Sequence, residues 1–232
     1  MTRALGLLSL LLLGGLAAGA VPKQPKGVVE SLNLDNGLNR GEWGPIALCP
    51  DGSTAFAFEI KYSGTGYADD TCVNAIRLYC QDSAGSLTAS VTSSEGSYGQ
   101  WKGMRTCPGG ENFNAMRANV VPDMGTFGDD LGMDNLQLQC SGGNVLDGLY
   151  GTPAKGQGPM VVREMKNLGD REVEAVHMKL RKSAHARDLG EWGAWANCSV
   201  GNKICGLQVR LEDDHLVEDD AGVSDVIMFC CN

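Results

Sequence analysis

"GEWGPIALCP", residues 41–50, and "GEWGAWANCS", residues 190–199, begin with the same four residues and place a cysteine six residues after the first tryptophan. A third, weaker copy, "GSYGQWKGMRTC", lies between them. We align it with the other two through Tyr98, so that Trp101 matches Trp195. Self-similarity of this kind indicates that the chain is built from three related units.

The three units also end alike, with an Asp-Asp pair and, ten residues after its second aspartate, a cysteine. Between these ends, apolar and polar residues alternate as in half-buried strands, for example Phe56, Phe58 and Ile60. No single sheet can cover its own apolar face, so the repeat predicts three similar sheets around one core. The units span about 41–80, 96–140 and 190–231.

The chain has nine cysteines, an odd number that leaves at least one outside intramolecular disulfides. Six of them occupy matching slots at the start and the end of the units, and two more form a possible fourth bridge, although Cys230 and Cys231 could exchange partners. Cys72 is left over and belongs to no repeat slot, since the other copies have only Gly132 and Gly222 nearby; we expect it to be alkylatable. The predicted pairs are Cys49–Cys80, Cys107–Cys140, Cys198–Cys230 and Cys205–Cys231.

These motifs, together with "DDTCVNAIRLYC", "KICGLQ" and the terminal "FCC", resemble the vitelline membrane outer layer protein 1 family. The resemblance implies an all-β fold: a β-prism of three four-stranded antiparallel sheets around a pseudo-threefold axis. It also implies an extracellular protein, since the family is known from the outer vitelline coat of the egg. A chito-oligosaccharide transferase activity has been ascribed to the family, and its prism is similar to that of some plant lectins.

Residues 1–20 have the pattern of a secretory signal: a basic residue, an apolar run too short for a comfortable membrane span, and an A-x-A-like ending. We therefore expect a secreted, extracellular protein with a single domain over 21–232, interrupted by an inserted loop at about 152–188. The formal net charge of −9 argues against nucleic acid or an anionic membrane as partner. The expected partners are proteins or glycans of an extracellular coat.

Few residues suggest chemistry. The aspartate pairs 69/70, 129/130 and 219/220 recur in all three units, which favours a role in turns over catalysis, because one active site does not need three copies. Trp101 and Trp195 are the better candidates for glycan contacts, although core packing is the more common use of a repeated aromatic residue. Asn197-Cys198-Ser199 is a formal N-glycosylation sequon.

The acidic run 212–220 lacks the spacing of a calcium loop, and the three histidines form no zinc pattern. We therefore expect no metal, no cofactor and no catalytic residue. The sequence favours a structural or binding protein of an extracellular coat or fluid layer. A transferase acting on N-acetylglucosamine oligomers is the alternative, and it rests on the family resemblance alone.

Overall fold

The computed structural model describes residues 25, 27–63, 71–122, 132–149, 190–212 and 222–232. This part of the chain forms short antiparallel strands and one 3₁₀ turn at Pro108–Gly110. The signal segment, the loop at 152–188, the aspartate pairs and most of the acidic run lie outside the described residues. The strands are β1 (Val28–Asn33), β2 (Glu42–Trp43), β3 (Ala47–Leu48), β4 (Thr54–Tyr62), β5 (Val73–Gln81), β6 (Leu87–Glu95), β7 (Gln100–Trp101), β8 (Arg105–Thr106), β9 (Phe113–Val120), β10 (Met133–Cys140), β11 (Val145–Asp147), β12 (Glu191–Trp192), β13 (Ala196–Asn197), β14 (Lys203–Leu211) and β15 (Val223–Cys231).

The strands form three antiparallel sheets. Sheet A has the order β1-β15-β14-β2, sheet B has β6-β5-β4-β7, and sheet C has β11-β10-β9-β12; the short strands β3, β8 and β13 continue β2, β7 and β12 along the same edges. Counting each such pair as one interrupted strand gives four strands per sheet. The predicted all-β architecture of three four-stranded sheets is confirmed.

A repeated unit is not the same thing as a sheet. The opening strands β2 and β3 of the first unit pair with β14 of the third, whereas β7 and β8 of the second unit pair with β4 of the first. Likewise β12 and β13 of the third unit pair with β9 of the second. Every sheet therefore combines strands from different units, and sheet A takes its outer edge from β1 near the start of the chain.

The core lies between the three sheets, where the inward faces of the long strands meet. Phe58 and Phe113 from sheets B and C pack edge to face, with ring centroids 5.7 Å apart. The predicted inward positions of the closing strands are all fully buried, and they are Ile76, Leu78, Cys80, Leu136, Leu138, Cys140, Val226, Met228 and Cys230.

The expectation that Phe56 shares the buried face of Phe58 is wrong. Ala55 pairs with Cys80 and Ala57 pairs with Tyr79, so Phe56 is an extra residue in a β-bulge. A bulge reverses the alternation of faces along a strand. Ala55 takes the core position, and Phe56 is only half-buried.

The alignment of the second unit through Tyr98 is also wrong. Trp101 pairs with Lys61 in sheet B, at the register position where Trp43 and Trp192 pair with Arg210 and Asn119 in the other two sheets. Trp101 therefore corresponds to the first tryptophan of each opening. The distance to the following cysteine supports this alignment, because Cys107 also lies six residues after Trp101. Met104 then takes the slot of Trp195.

The structure contains four disulfides: the three pairs that the repeat predicts and the possible fourth bridge, Cys205–Cys231. Three of them connect neighbouring sheets, because each opening strand ends at a cysteine whose partner lies in the next sheet. The Cα atoms of the bonded cysteines are 5.7–6.0 Å apart, the usual distance for such a bridge. The inter-sheet bridges are Cys49–Cys80 between A and B, Cys107–Cys140 between B and C, and Cys198–Cys230 between C and A; Cys205–Cys231 joins two strands of sheet A.

Cys72 stands outside these bridges and is fully buried. Its φ of 44° is left-handed, like those of Gly132 (62°) and Gly222 (63°) at the same distance before the closing strands of the other units. Cys72 thus does occupy a repeat slot, one that the backbone reserves for glycine elsewhere. Its thiol lies 3.7 Å from Asp134 Oδ1, an atom that also accepts a hydrogen bond from Tyr62 Oη at 3.0 Å.

Candidate functional surfaces on the prism

The outer face of sheet C carries two tryptophans around one arginine. The guanidinium carbon of Arg117, on β9, lies 4.9 Å from the ring centroid of Trp192 and 4.8 Å from that of Trp195. All three side chains are half-buried. Cation–π contacts of this kind hold aromatic rings in fixed orientations at a surface.

A chain of polar side chains fixes the arginine. Arg117 Nε donates to Gln137 Oε1 at 2.9 Å, and Gln137 Nε2 donates to Asp147 Oδ2 at 2.8 Å. The other carboxylate oxygen of Asp147 accepts from Asn135 Nδ2 at 2.8 Å. Sheet C therefore presents aromatic rings beside a row of hydrogen-bonding groups, the combination that binding sites for polar ligands use.

Sheet B carries the other predicted glycan contact, Trp101, in a different setting. The guanidinium of Arg77 lies 3.8 Å from the Trp101 ring centroid and also donates to Glu59 Oε1 at 3.1 Å. Tyr79 donates to the same oxygen at 2.5 Å. Burial, followed by the hydrogen bond to Glu59, raises the pKa of Tyr79. Glu59 is 5% exposed, which is unusual for a carboxylate on an outer face.

Glu59 has no carboxylate counterpart in the other sheets. The strand register places Arg117 and Gln208 at the corresponding positions of β9 and β14, opposite Gln137 and Ile227. Recurrence in every unit argues against catalysis by the aspartate pairs, whereas Glu59 departs from the repeat. That departure was visible once the middle strands were aligned.

On sheet A, Trp43 is 38% exposed and lies 5.9 Å from the guanidinium of Arg210. It is more accessible than Trp101 and Trp195, which the sequence favoured as surface residues and which are half-buried. Ile46, in the slot of Trp195, is 44% exposed. Sheet A thus exposes both an indole and an apolar side chain, and among the described residues no second ring lies over Arg210.

Asn197 lies exposed at the edge of sheet C, directly before the inter-sheet bridge of Cys198. Ser199 contacts sheet A, since its backbone N and Oγ donate to the two oxygens of Glu30 at 2.7 and 2.8 Å. A hydrogen bond from Asn202, followed by those from Ser199, lowers the pKa of Glu30.

In the described part of the chain Glu30, Cys198 and Cys230 have ligand atoms close enough for one metal ion, but the two sulfurs bond to each other.

A groove of about 650 Å³, lined by both polar and apolar groups, lies at the disulfide end of the prism. The strand-connecting turns from Pro50 to Thr54 and from Gln81 to Gly85 form much of its wall. Its buried polar groups hydrogen-bond to one another: Gln81 Nε2 donates to Asn112 Oδ1 at 2.9 Å, and Asn112 Nδ2 donates to Thr54 Oγ1 at 2.9 Å. These hydrogen bonds show that the polar groups in the wall of the groove stabilise the fold.

Within the described residues, no helix is long and apolar enough to cross a membrane.

Three curled antiparallel sheets around one core, stapled at their junctions, define the chain as a disulfide-bonded β-prism protein. It belongs to the vitelline membrane outer layer protein I (VOMI) family, whose model matches residues 30–152 and 164–232. The match omits only 153–163 of the loop predicted at 152–188, so most of that loop lies within the family pattern.

Two relatives described as vitelline membrane outer layer protein 1 homologs match most of the chain. The mouse protein is 29% identical, covering 96% of this chain and 94% of its own, and the human protein is 27% identical, covering 88% and 84%. Among solved structures, Calystegia sepium agglutinin is similar with 14% identity, 84% and 91% coverage and a TM-score of 0.45. A mannose-binding lectin from Champedak has 9% identity, 90% and 100% coverage and a TM-score of 0.46. Likeness at this level supports no inference about a ligand.

Proposed function

We propose that this chain is a secreted structural and binding protein of an extracellular coat or fluid layer. The observation that carries the proposal is the stapling of all three sheet junctions by disulfides. Such bridges form and persist in oxidising compartments, and they limit the freedom of the unfolded chain. A body closed in this way withstands dilution and proteolysis outside the cell, as a coat component must.

Binding to glycans is the second part of the proposal, with Trp101 and Trp195 as the contact residues. Each indole is oriented by an arginine and adjoins amide or carboxylate groups. A sugar ring can pack its C–H face on an indole while its hydroxyl groups bond to the polar neighbours. Because the rings are held in place before binding, little side-chain freedom is lost on contact.

The experiment uses the full chain expressed with its own leader in animal cells. We expect disulfide-bonded protein in the medium and binding to a subset of glycans on an array, reduced by Trp101→Ala and by Trp195→Ala. Trp43→Ala is the matched control, because Trp43 also lies beside an arginine, Arg210 at 5.9 Å, but is not one of the proposed contact residues. Retention inside the cell would refute secretion, and an array without signal would refute glycan binding.

The environment of Glu59 makes a transferase the second candidate function. Glycosyl transfer uses positioned carboxylates, and Glu59 is buried, accepts hydrogen bonds from Arg77 and Tyr79, and has no carboxylate at the corresponding register positions of the other two sheets. Product analysis on chitohexaose separates the two functions. The binding proposal expects no turnover. A transfer rate that disappears in Glu59→Gln while the variant keeps its thermal midpoint would establish the enzyme instead.

A further inference from the structure

Trp195 and Asn197 project from the same outer face of sheet C. Ala196 between them and Cys198 after them pack against the core, and neighbouring residues of a strand point to opposite sides. Asn197 is exposed, and its Nδ2 donates to the backbone oxygen of Trp195 at 3.1 Å. The amide nitrogen of Asn197 is thereby held beside residue 195.

The same asparagine begins the sequon Asn197-Cys198-Ser199. We propose that Asn197 carries an N-linked glycan and that the first N-acetylglucosamine of this glycan packs on the indole of Trp195. In the modification, Nδ2 bonds to the anomeric carbon of a lipid-linked oligosaccharide, loses one hydrogen as a proton and displaces the lipid pyrophosphate. The second Nδ2 hydrogen remains, so the bond to the Trp195 oxygen persists.

The surroundings of Trp195 prepare it for this contact. Arg117 holds the ring from a distance of 4.8 Å, and Gln137 in turn holds Arg117. The indole is half-buried, so part of its surface remains in water. A sugar attached two residues away reaches that surface without any loss of translational freedom, and the C–H face of the sugar removes apolar indole surface from water.

The folded structure also dictates when the glycan is added. Ser199 Oγ is bound to Glu30, and Cys198 is bonded to Cys230 across the junction of sheets C and A. A transferase cannot use the sequon once this junction has closed. Because Cys230 follows Cys198 by 32 residues, the sequon emerges during synthesis before its disulfide partner exists. Modification therefore precedes closure of the prism.

This inference rests on passage through a secretory compartment, which is one part of the proposed function. In the glycosylated protein the chain's own glycan covers Trp195, so the array test of Trp195→Ala is made on enzymatically deglycosylated protein, whereas Trp101 contacts glycans of other molecules in either form. To keep the two proposals distinguishable, the full chain is expressed with a leader from another secreted protein. A failure of residues 1–20 to direct secretion then leaves this test unaffected.

The first measurement is the mass of the intact secreted protein before and after peptide-N-glycosidase treatment. We expect a mass corresponding to one N-glycan in the wild type, and its loss in Asn197→Gln and in Ser199→Ala. Cys230→Ser leaves the sequon intact and removes the Cys198–Cys230 bridge, so its occupancy should equal that of the wild type; higher occupancy in this variant would show that the bridge competes with modification and would refute the order of events. A wild-type protein without a glycan at Asn197 would overturn the whole proposal.

The second measurement tests the contact itself. Glycans trimmed to a single N-acetylglucosamine retain the sugar that packs on Trp195, so we compare the thermal midpoint of this form with that of Asn197→Gln. The midpoint should fall by about 2–4 °C when the sugar is absent. The fall should vanish in Trp195→Ile, a residue that the fold accepts because Ile46 fills the same slot.

Trp192→Ile is the matched control, because Trp192 lies at nearly the same distance from Arg117 but belongs to β12, five residues before Asn197. In this background the fall should persist. An equal fall in the Trp195→Ile background would show that the sugar acts without the indole and would overturn the contact.

Discussion

Arg105 offers the sharpest test of how the prism is closed, because its structural role cannot be inferred from its repeat position. It is 3% exposed and lies at the junction of sheets B and C. Its guanidinium donates at 3.1–3.4 Å to five backbone oxygens, those of Lys102, Gly103, Asp147, Gly148 and Leu149. Burial lowers the pKa of its guanidinium.

The corresponding residues of the other units are Ala47 and Ala196. Alanine suffices there because neighbouring segments fill the junctions. Ser93 donates to the Pro45 oxygen at 2.7 Å, and Asp35 accepts from the Ala194 nitrogen at 3.0 Å. The edge strand of sheet C, β11, has only three residues, and Arg105 supplies the bonds that a longer edge would make.

Arg105→Ala should therefore be strongly destabilising, although it copies the residue of both equivalent slots. Its removal takes the donor from five backbone oxygens, and a buried acceptor left unsatisfied costs about 1–3 kcal/mol, so the loss should be about 3–5 kcal/mol if two or three of them stay unsatisfied. For a domain of this size the thermal midpoint should fall on the order of 10 °C. Calorimetry and guanidinium unfolding with intact disulfides measure the loss. Arg105→Lys should recover only part of it, because one ammonium group cannot reach all five oxygens.

Arg117→Ala is the control, since Arg117 is half-buried on an outer face and its loss should cost about 1 kcal/mol. In a domain of this size, a shift of 2 °C in the thermal midpoint corresponds to about 1 kcal/mol or less. If the midpoint of Arg105→Ala lies within 2 °C of the wild-type value, the role assigned to the arginine is wrong. The junction of sheets B and C would then tolerate alanine at this position, as the other two junctions do.

Three further predictions concern the thiol, the acid side of the stability profile and the bridges. Cys72 should resist iodoacetamide in the native protein and react once guanidinium unfolds the chain, because it is fully buried; rapid native labelling would contradict the structure. Hydrogen bonds lower the pKa of Glu30 below its ordinary 4.5, so its stabilising effect is present above that pH and is lost as the pH falls through the folded-state value. Glu30→Gln should flatten the decline of the unfolding free energy below pH 4.5, and an unchanged slope would exclude this role. Peptide mapping without reduction should recover Cys107–Cys140, and replacing both residues with serine should cost about 2–4 kcal/mol; a different disulfide in the map would refute the stapling of sheets B and C.

The features that the sequence predicts well are those that repeat. Alternation along the closing strands identifies the buried faces of all three sheets, including Ile76 and Leu138, because a strand has a fixed period of two. Phe56 escapes this rule, since a bulge arises from pairing with another strand and leaves no local pattern. The correct alignment of Trp101 could have been read from the sequence. Six residues separate Trp101 from Cys107, as they separate the first tryptophan from the cysteine in the other copies, whereas Tyr98 resembles that tryptophan only in being aromatic.

The groups that distinguish the sheets were harder to predict. Arg105 is one of several arginines in the sequence, and its burial follows from the short edge strand of a neighbouring sheet. Glu59 looked like the outward, solvated residue of an alternating strand, yet Arg77 and Tyr79 cover it from the next strand. Both depend on contacts between strands far apart in sequence. Candidate sites of this kind become visible only after the register is known.

The exchange of opening strands between sheets explains why the prism closes as one body. Sheet A is assembled from β1, from the opening of the first unit and from the last two strands of the chain. Its pairing therefore joins the two ends of the sequence, and it cannot be completed until β15 is available. The Cys198–Cys230 bridge and the bonds of Glu30 to Ser199 lie at this same closure between sheets C and A. Closure of this junction thus fixes the sequon that the proposed glycosylation must use beforehand, and the order of the units along the chain separates the two events in time.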